Sequence, residues 1–344
     1  MDYQKEPGRP EGLRLHLNEN TAGCSPAVID ALRALTPAQV AFYPDSGPAT
    51  RACASLMGVD PSWVVLTNGL DEGIWATAAA CLRQGEATGE AIIPTPAFDM
   101  YAACTTAAGG KVVTVAPGPH LAFPGAEVLA AISPATRVVF VCSPNNPSGL
   151  TVSFDAVSAV ARAVPPGALV FLDEAYVDFA ETSFLGQLAD HPTVVIGRTF
   201  AKAYGLAALR IGCVLARPDT LAVIRRVIAP YNLNICAIEA LRAAAADTAF
   251  HARYCAEVEE SRRLLYRFAE RHAFEYWPSQ ANFVLIRVGA SAEGLVEALA
   301  ARAIFIRDRG AEPGCEGCVR VTAGVVEHAR VCIAAMEEIL CERA

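Results

Sequence analysis

Seven short runs of β-branched and apolar residues, each separated from the next by other sequence, constrain this chain more than any other feature. They are Trp63–Leu66, Ala91–Ile93, Lys111–Val115, Arg137–Cys142, Ala168–Leu172, Thr193–Ile196 and Ile211–Leu215. Strands that alternate with helices pair mainly in parallel through crossovers, and the intervening helices cover both faces of the sheet. The reading is therefore α/β, with a seven-stranded, mainly parallel sheet. Apolar spacing and alanine content predict helices over Asp71–Leu82, Ser153–Ala163 and Asp219–Ile228, and a long one from about Ala245 to His272. Beyond it, shorter strands around Phe283–Arg287, Ile304–Ile306 and Val319–Thr322 and helices near Ala292–Arg302 and Val325–Arg343 predict a smaller α+β unit. The expected division is an extended N-terminal arm, 1–25, a large domain, 26–245, and a small C-terminal domain, 246–344.

With 344 residues, 53% of them hydrophobic, the chain can bury two such cores. Its formal charge of -8, with 28 Lys and Arg scattered along it, argues against nucleic acid or an anionic membrane as partner. No apolar run approaches the ~18 to 20 residues of a bilayer span, and no apolar stretch follows a basic one at the N-terminus. Most of the twelve cysteines, among them Cys81, Cys104, Cys142, Cys213, Cys236 and Cys332, lie in apolar segments, as reduced core residues do. A cytoplasmic protein is expected. Cys315 and Cys318 lack the second ligand pair of a zinc site, and the histidines form no ligand pattern, so no metal is expected.

Four loops that follow strands hold the residues fit for chemistry. Lys202, in the segment Arg198–Gly212 (RTFAKAYGLAALRIG), is flanked by Ala201, Ala203 and Tyr204. Partial desolvation there lowers a lysine's pKa and frees its lone pair for Schiff-base chemistry. Arg210 brings a guanidinium suited to a phosphate; the plain alternative is a surface lysine and a strand-capping arginine. The strand Ala168–Leu172 runs into Asp173 and Tyr176, at the end where open α/β sheets bind ligands. A carboxylate at that depth needs a cation, such as a protonated pyridine nitrogen, unless Asp173 only caps a helix and Tyr176 only fills the core. Two prolines and a glycine stiffen Cys142–Gly149 (CSPNNPSG), where Asn146 offers a neutral donor for a phenolate oxygen, although an ordinary turn reads similarly. In Thr67–Glu72 (TNGLDE), Gly69 turns the chain into a helix whose first amides, Leu70 and Asp71, suit a phosphate, as do many helix starts. Phosphate, ring nitrogen, ring oxygen and aldehyde are together the functional groups of pyridoxal 5'-phosphate.

The chain resembles the fold-type-I aminotransferases over nearly its whole length, and within them the histidinol-phosphate aminotransferase family. LNEN at Leu17–Asn20, YPD at Tyr43–Asp45, NGLDE at Asn68–Glu72, FDMY at Phe98–Tyr101 and SPNNPSG at Ser143–Gly149 fall in that family's order. So do DEAYVDF at Asp173–Phe179, the Lys202 segment, PYNLN at Pro230–Asn234, ANF at Ala281–Phe283 and RVTAG at Arg320–Gly324.

The resemblance implies a catalytic set of Lys202, which bonds the cofactor's aldehyde, Asp173, which pairs with the pyridinium, and Tyr176, which with Asn146 binds the ring oxygen. Tyr101 stacks on the ring, and Arg210, Thr199, Gly69 and the amides of Leu70 and Asp71 hold the phosphate. Tyr43 reaches across from the second subunit of a homodimer. Arg320 and Arg307, with Asn20, bind the substrate, and guanidinium geometry suits carboxylate and phosphate alike. The implied activity is ping-pong transfer of an amino group from a small anionic donor to a 2-oxo acid such as 2-oxoglutarate. The donor expected is L-histidinol phosphate or an aromatic amino acid, and the setting is amino-acid biosynthesis. The same fold and cofactor contacts also serve decarboxylases of the threonine-phosphate decarboxylase type, where substrate pose decides which bond breaks. A regulatory domain that binds pyridoxal phosphate usually carries a DNA-binding region, and this sequence has no basic segment for one. Three places depart from the family: Ala201 stands where serine is usual, Thr21-Ala22-Gly23 where Pro-Tyr-Gly is usual, and Gln84–Glu90 differs throughout. The first removes a hydroxyl contact to the phosphate, and the second points to a different or broader donor.

Overall fold

A computed structural model describes residues 11–82 and 88–342; residues 84–87 of the divergent segment, the start of the arm and Arg343 lie outside the described residues. The large sheet consists of β1 (Val64–Thr67), β2 (Glu90–Pro94), β3 (Lys111–Val115), β4 (Thr136–Cys142), β5 (Leu169–Asp173), β6 (Val194–Thr199) and β7 (Gly212–Leu215). Each overlaps one of the seven expected runs. Their spatial order is β1-β7-β6-β5-β4-β2-β3. All neighbours run parallel except β7, which is antiparallel to both β1 and β6. The central strands read as unbroken apolar runs because helices cover both faces: Val138–Val141, Val170–Leu172 and Val194–Ile196 are at most 1% exposed.

Register places the site. Cys142 lies opposite Asp173, and Asp173 opposite Gly197, so β4, β5 and β6 deliver the loops from Ser143, Glu174 and Phe200 onward along one edge. Gly197 must lack a side chain, since a Cβ there would sit 2.6 Å from the Phe171 ring. Strand order reverses between β2 and β4, and at such a switch point open α/β sheets form their ligand crevice. The chain leaving β2 brings Phe98 and Tyr101 to it.

The expected long helix from about Ala245 to His272 is Thr248–Arg271, and a helix the sequence reading lacks, Ile235–Ala246, ends just before it. Asp247 separates the two: its side chain accepts the Phe250 amide as an N-cap and takes a hydrogen bond from Ser25. The C-terminal strands Glu275–Tyr276, Phe283–Arg287, Arg307–Asp308 and Cys318–Thr322 form an antiparallel sheet. The expected strand Ile304–Ile306 is present at Ile304–Phe305, and a further short strand follows it. Ile304–Phe305 pairs in parallel with Leu13–Arg14 of the arm, and Arg307–Asp308 joins the C-terminal sheet. The arm is thereby sewn onto the C-terminal part, with the Thr322 amide donating to the Leu15 carbonyl at 2.9 Å, before it crosses to the crevice. Cys315 and Cys318 pack with Leu121, Trp277 and Leu285 in a small apolar cluster. No helix among the described residues is long and apolar enough to cross a membrane.

Candidate active site

A cavity of about 350 Å³ opens at the carboxyl ends of β4, β5 and β6, between them, the arm and the C-terminal sheet. Lys202 lies in its wall beyond β6 and donates through Nζ to the Leu17 carbonyl of the arm at 3.0 Å. Burial first, then the charge of Arg320, draws its amine down to a pKa of about 8. At the end of β5, Asp173 is 3% exposed. Its Oδ1 accepts the Ala175 amide at 2.9 Å and its Oδ2 the Tyr101 hydroxyl at 2.6 Å. Burial outweighs these bonds and pushes the carboxyl up to about 6. No ion pair among the described residues reaches it, so a protonated ring nitrogen would supply the charge this carboxylate lacks.

A phosphate-sized anion is provided for on the other side. Arg210 donates to Asp71 at 2.8 Å, over the first turn of the helix Leu70–Leu82. Gly69 makes the approach feasible: its φ is +73°, and a Cβ would fall 2.4 Å from Arg210 Nη2. Thr199 closes β6 and accepts the Ala201 amide through Oγ1 at 3.1 Å. Helix amides, a guanidinium and a hydroxyl are the usual furniture of a phosphate site. The donor set of the whole cavity fits pyridoxal phosphate.

The remaining walls carry Asn146, Tyr176 and three arginines, Arg307, Arg309 and Arg320. Arg307 and Arg320 face each other across paired strands. Arg320 is 5% exposed and lies over the Phe283 ring; it donates to the His16 carbonyl at 2.6 Å and to Oδ1 of Asn146. That last bond fixes the Asn146 amide, leaving its Nδ2 as the end that can meet a ring oxygen. Arg309 pairs with Glu312.

Lys202, Asp173, Tyr176, Asn146, Thr199, Arg210, Leu70, Asp71, Arg307 and Arg320 thus line one cavity, as the sequence predicts. One expectation needs correction, that for Asn20, and two aromatic residues have surroundings the sequence does not give. Tyr101 also lines it but is 2% exposed, with one ring face stacked on Phe140 at 4.8 Å and its hydroxyl on Asp173. Its hydroxyl holds Asp173, Phe140 takes one ring face only, and the neighbouring half-buried Phe98 lines the cavity beside it. Asn20 is not among the lining residues: its Nδ2 donates to the Ala203 carbonyl at 2.8 Å and its Oδ1 accepts the Ala22 amide at 2.9 Å. It clamps the arm to the Lys202 turn. Tyr43 is also outside this cavity, 79% exposed and stacked on Tyr231 at 4.3 Å. Asn18, Phe98 and Arg309 escape the sequence reading, although Asn18 and Phe98 lie inside motifs it singles out.

The family model for aminotransferase class I and II matches residues 10–338. The chain belongs to this family. It is an aminotransferase dependent on pyridoxal phosphate. Among its relatives, the histidinol-phosphate aminotransferase of Symbiobacterium thermophilum is 35% identical, over 99% of this chain and 94% of that protein. The solved histidinol-phosphate aminotransferase of Sinorhizobium meliloti, in complex with pyridoxal-5'-phosphate, superposes with a TM-score of 0.88 at 26% identity, covering 97% of this chain and 92% of that one. L-threonine-O-3-phosphate decarboxylase of Porphyromonas gingivalis, at a TM-score of 0.78 and 21% identity over 95% of this chain and 99% of its own, shares the fold alone.

Proposed function

We propose that this aminotransferase takes an amino group from a small donor with an anionic end, L-histidinol phosphate first, and passes it to a 2-oxo acid such as 2-oxoglutarate. The observation that carries the reading is the wall formed by Arg307, Arg309 and Arg320 in the same cavity as Lys202. Burial and the neighbouring charges of Arg309 and Arg307 make the positive charge of Arg320 costly, drawing its pKa down to about 9. An anionic ligand relieves that strain, which favours substrates bearing a phosphate or carboxylate.

In this reading Lys202 bonds the cofactor, Asp173 faces its ring nitrogen, Asn146 and Tyr176 its ring oxygen, and Arg210, Thr199 and the amides of Leu70 and Asp71 its phosphate. The bound ring supplies an electron sink that stabilises negative charge at the donor's reacting carbon. The chain's own residues do the rest. The Asp173 carboxylate keeps a proton on the ring nitrogen, without which the sink is weak. The neutral amine of Lys202, displaced once the donor's own amine takes its place, would take the proton from the donor carbon and deliver it to the carbon that bore the aldehyde rather than back to the donor. The arginine wall would orient the donor so that its carbon–hydrogen bond, rather than a bond to a carboxylate, is the one the sink weakens.

The reading extends to a cytoplasmic homodimer, with the arm to residue 25 and the domains meeting near residue 245. Support for the dimer comes from Phe42, Tyr43 and Tyr231, aromatic rings 60 to 79% exposed on one stretch of surface. In a dimer Tyr43 would reach the partner's phosphate site. The deciding experiment loads the protein with pyridoxal phosphate and offers histidinol phosphate, aromatic, acidic and basic amino donors one at a time. Loss of the visible band with histidinol phosphate, without carbon dioxide release from any amino acid, is expected. A band that responds only to donors without an anionic end would overturn the substrate assignment.

A further inference from the structure

The arm residue Asn18 fixes which way the Tyr176 hydroxyl points. Asn18 is 1% exposed, with φ +55°, and its amide is held by a closed set of bonds. Its backbone N–H donates to Thr322 Oγ1 at 3.1 Å, and that hydroxyl, itself buried, lies 3.3 Å from Asn18 Oδ1. A hydroxyl that accepts the N–H has its own proton left to give, so it donates to Oδ1. The amide nitrogen is therefore the end that meets Tyr176, and Nδ2 donates to the phenol oxygen at 3.0 Å. The Asn18 carbonyl is tied in turn by Nδ2 of Asn282 at 3.1 Å. Because Asn18 and Thr322 are both buried, the amide cannot turn over without leaving buried groups unpaired.

Tyr176 is consequently an acceptor toward the arm, and its one proton must go elsewhere. Phe283, edge-on to its ring at 5.0 Å, holds the ring plane. The charged and titratable groups that act on it are Arg320, Cys142 and Asp173, with the Lys202 amine 5.7 Å from its ring centre. Among the described residues its hydroxyl has no acceptor, and Tyr176 lines the cavity together with Asn146, Asp173 and Lys202. We propose that Asn18 is a positioning residue that turns Tyr176 into an obligate hydrogen-bond donor toward the cofactor's ring oxygen, by the sequence Asn18 N–H to Thr322 to Asn18 amide to Tyr176. Arg320 does the equivalent for Asn146. The two donors expected on that oxygen are thus both set from behind, one by the arm and one by the C-terminal sheet. The inference rests on the reading that pyridoxal phosphate bonds Lys202 in this cavity.

A donor on the ring oxygen stabilises its negative charge and loosens its hold on the proton shared with the Lys202 nitrogen. The visible band of the loaded enzyme should then titrate at a lower pH than it would without that donor. The test follows this midpoint by absorbance in Asn18→Ala and Thr322→Val, each made in the wild-type and in the Tyr176→Phe background, with circular dichroism to exclude misfolding. In the wild-type background Asn18→Ala should raise the midpoint by roughly half a pH unit or more and Thr322→Val by less, since a freed amide still presents nitrogen part of the time. In the Tyr176→Phe background both should shift it negligibly. Shifts of equal size in the two backgrounds, or none in either, would overturn the role of Asn18 while leaving the cofactor site intact. A wild-type protein that binds pyridoxal phosphate without a visible band would overturn the site reading itself.

Discussion

The hydroxyl of Tyr101 donates to Oδ2 of Asp173 across 2.6 Å, between two side chains that are each at most 3% exposed. It is among the few polar contacts this carboxylate has, and it does not offset burial, which raises the pKa from 3.8 to about 6. The proton is then held more tightly in the fold than in the unfolded chain. Stability of the cofactor-free protein falls as pH rises from 4 to 6 and stays lower above that, by about 3 kcal/mol. Asp173→Asn removes this penalty and also the partner of the ring nitrogen. The cofactor-free variant should melt above the wild type at pH 8, with the gap closing toward pH 4, while transamination falls by about 100-fold or more. Equal melting temperatures at pH 8 would show that the carboxylate is not desolvated.

Lys202 shows the opposite pH logic. Its amine, drawn from 10.5 to about 8 by burial and then by Arg320, sheds its proton in the fold well before it would in free chain. Only the neutral amine attacks an aldehyde. Uptake of pyridoxal phosphate by the cofactor-free protein, followed by stopped-flow absorbance, should accelerate with pH and level off a little above pH 8. A plateau reached only near pH 10.5 would contradict the burial of the amine. Lys202→Ala should show no visible band at any pH.

The sheet was legible because strands covered on both faces must be apolar along their whole length, as in Val138–Val141. The reversed direction of β7 was not, because a strand's composition is the same whichever way it runs. The start of the long helix was placed within a few residues, but not its cap, because the contact of Asp247 with Ser25, 222 positions away in the chain, appears only on folding. Within the site, residues with one evident chemistry, Lys202, Asp173 and Arg210, could be named from their loops. For Tyr101 the sequence tells that an aromatic ring is near but not that one of its faces is taken by Phe140 and its hydroxyl by Asp173. Asn18 and Arg309 act through partners distant in sequence or through a turn whose shape appears only on folding.

Ala201 offers a gain-of-function test. Its amide is already committed to Thr199 Oγ1 at 3.1 Å, so a serine at this position adds a hydroxyl without disturbing the backbone. One further hydrogen bond to a charged phosphate contributes about 1.5 to 3 kcal/mol at most. Ala201→Ser should therefore tighten pyridoxal phosphate by about tenfold in equilibrium dialysis, with little change in kcat. Unchanged affinity would mean that the phosphate does not lie against the Lys202 turn.

Arg309 and Glu312 set the charge of the donor wall. The Arg309 side chain is 10% exposed and ion-paired to Glu312, yet its Nε and the Glu312 Oε2 are buried without hydrogen-bond partners. Burial raises the Glu312 carboxyl, and the charges of Arg309 and Arg320 pull it back down. Arg309→Met both removes a guanidinium from the wall and strands a buried carboxylate beside Arg320, so it weakens the hold on an anion twice over. KM for histidinol phosphate should rise by about 10- to 100-fold with a smaller change in kcat, and less for an aromatic amino acid, whose single carboxylate draws on fewer of the arginines. Glu312→Gln keeps a polar side chain near Arg309 but cancels the negative charge, and should leave KM for the phosphate unchanged or lower. If instead Glu312→Gln raises KM as far as Arg309→Met does, the pair serves to hold the loop rather than to set the charge that the donor meets.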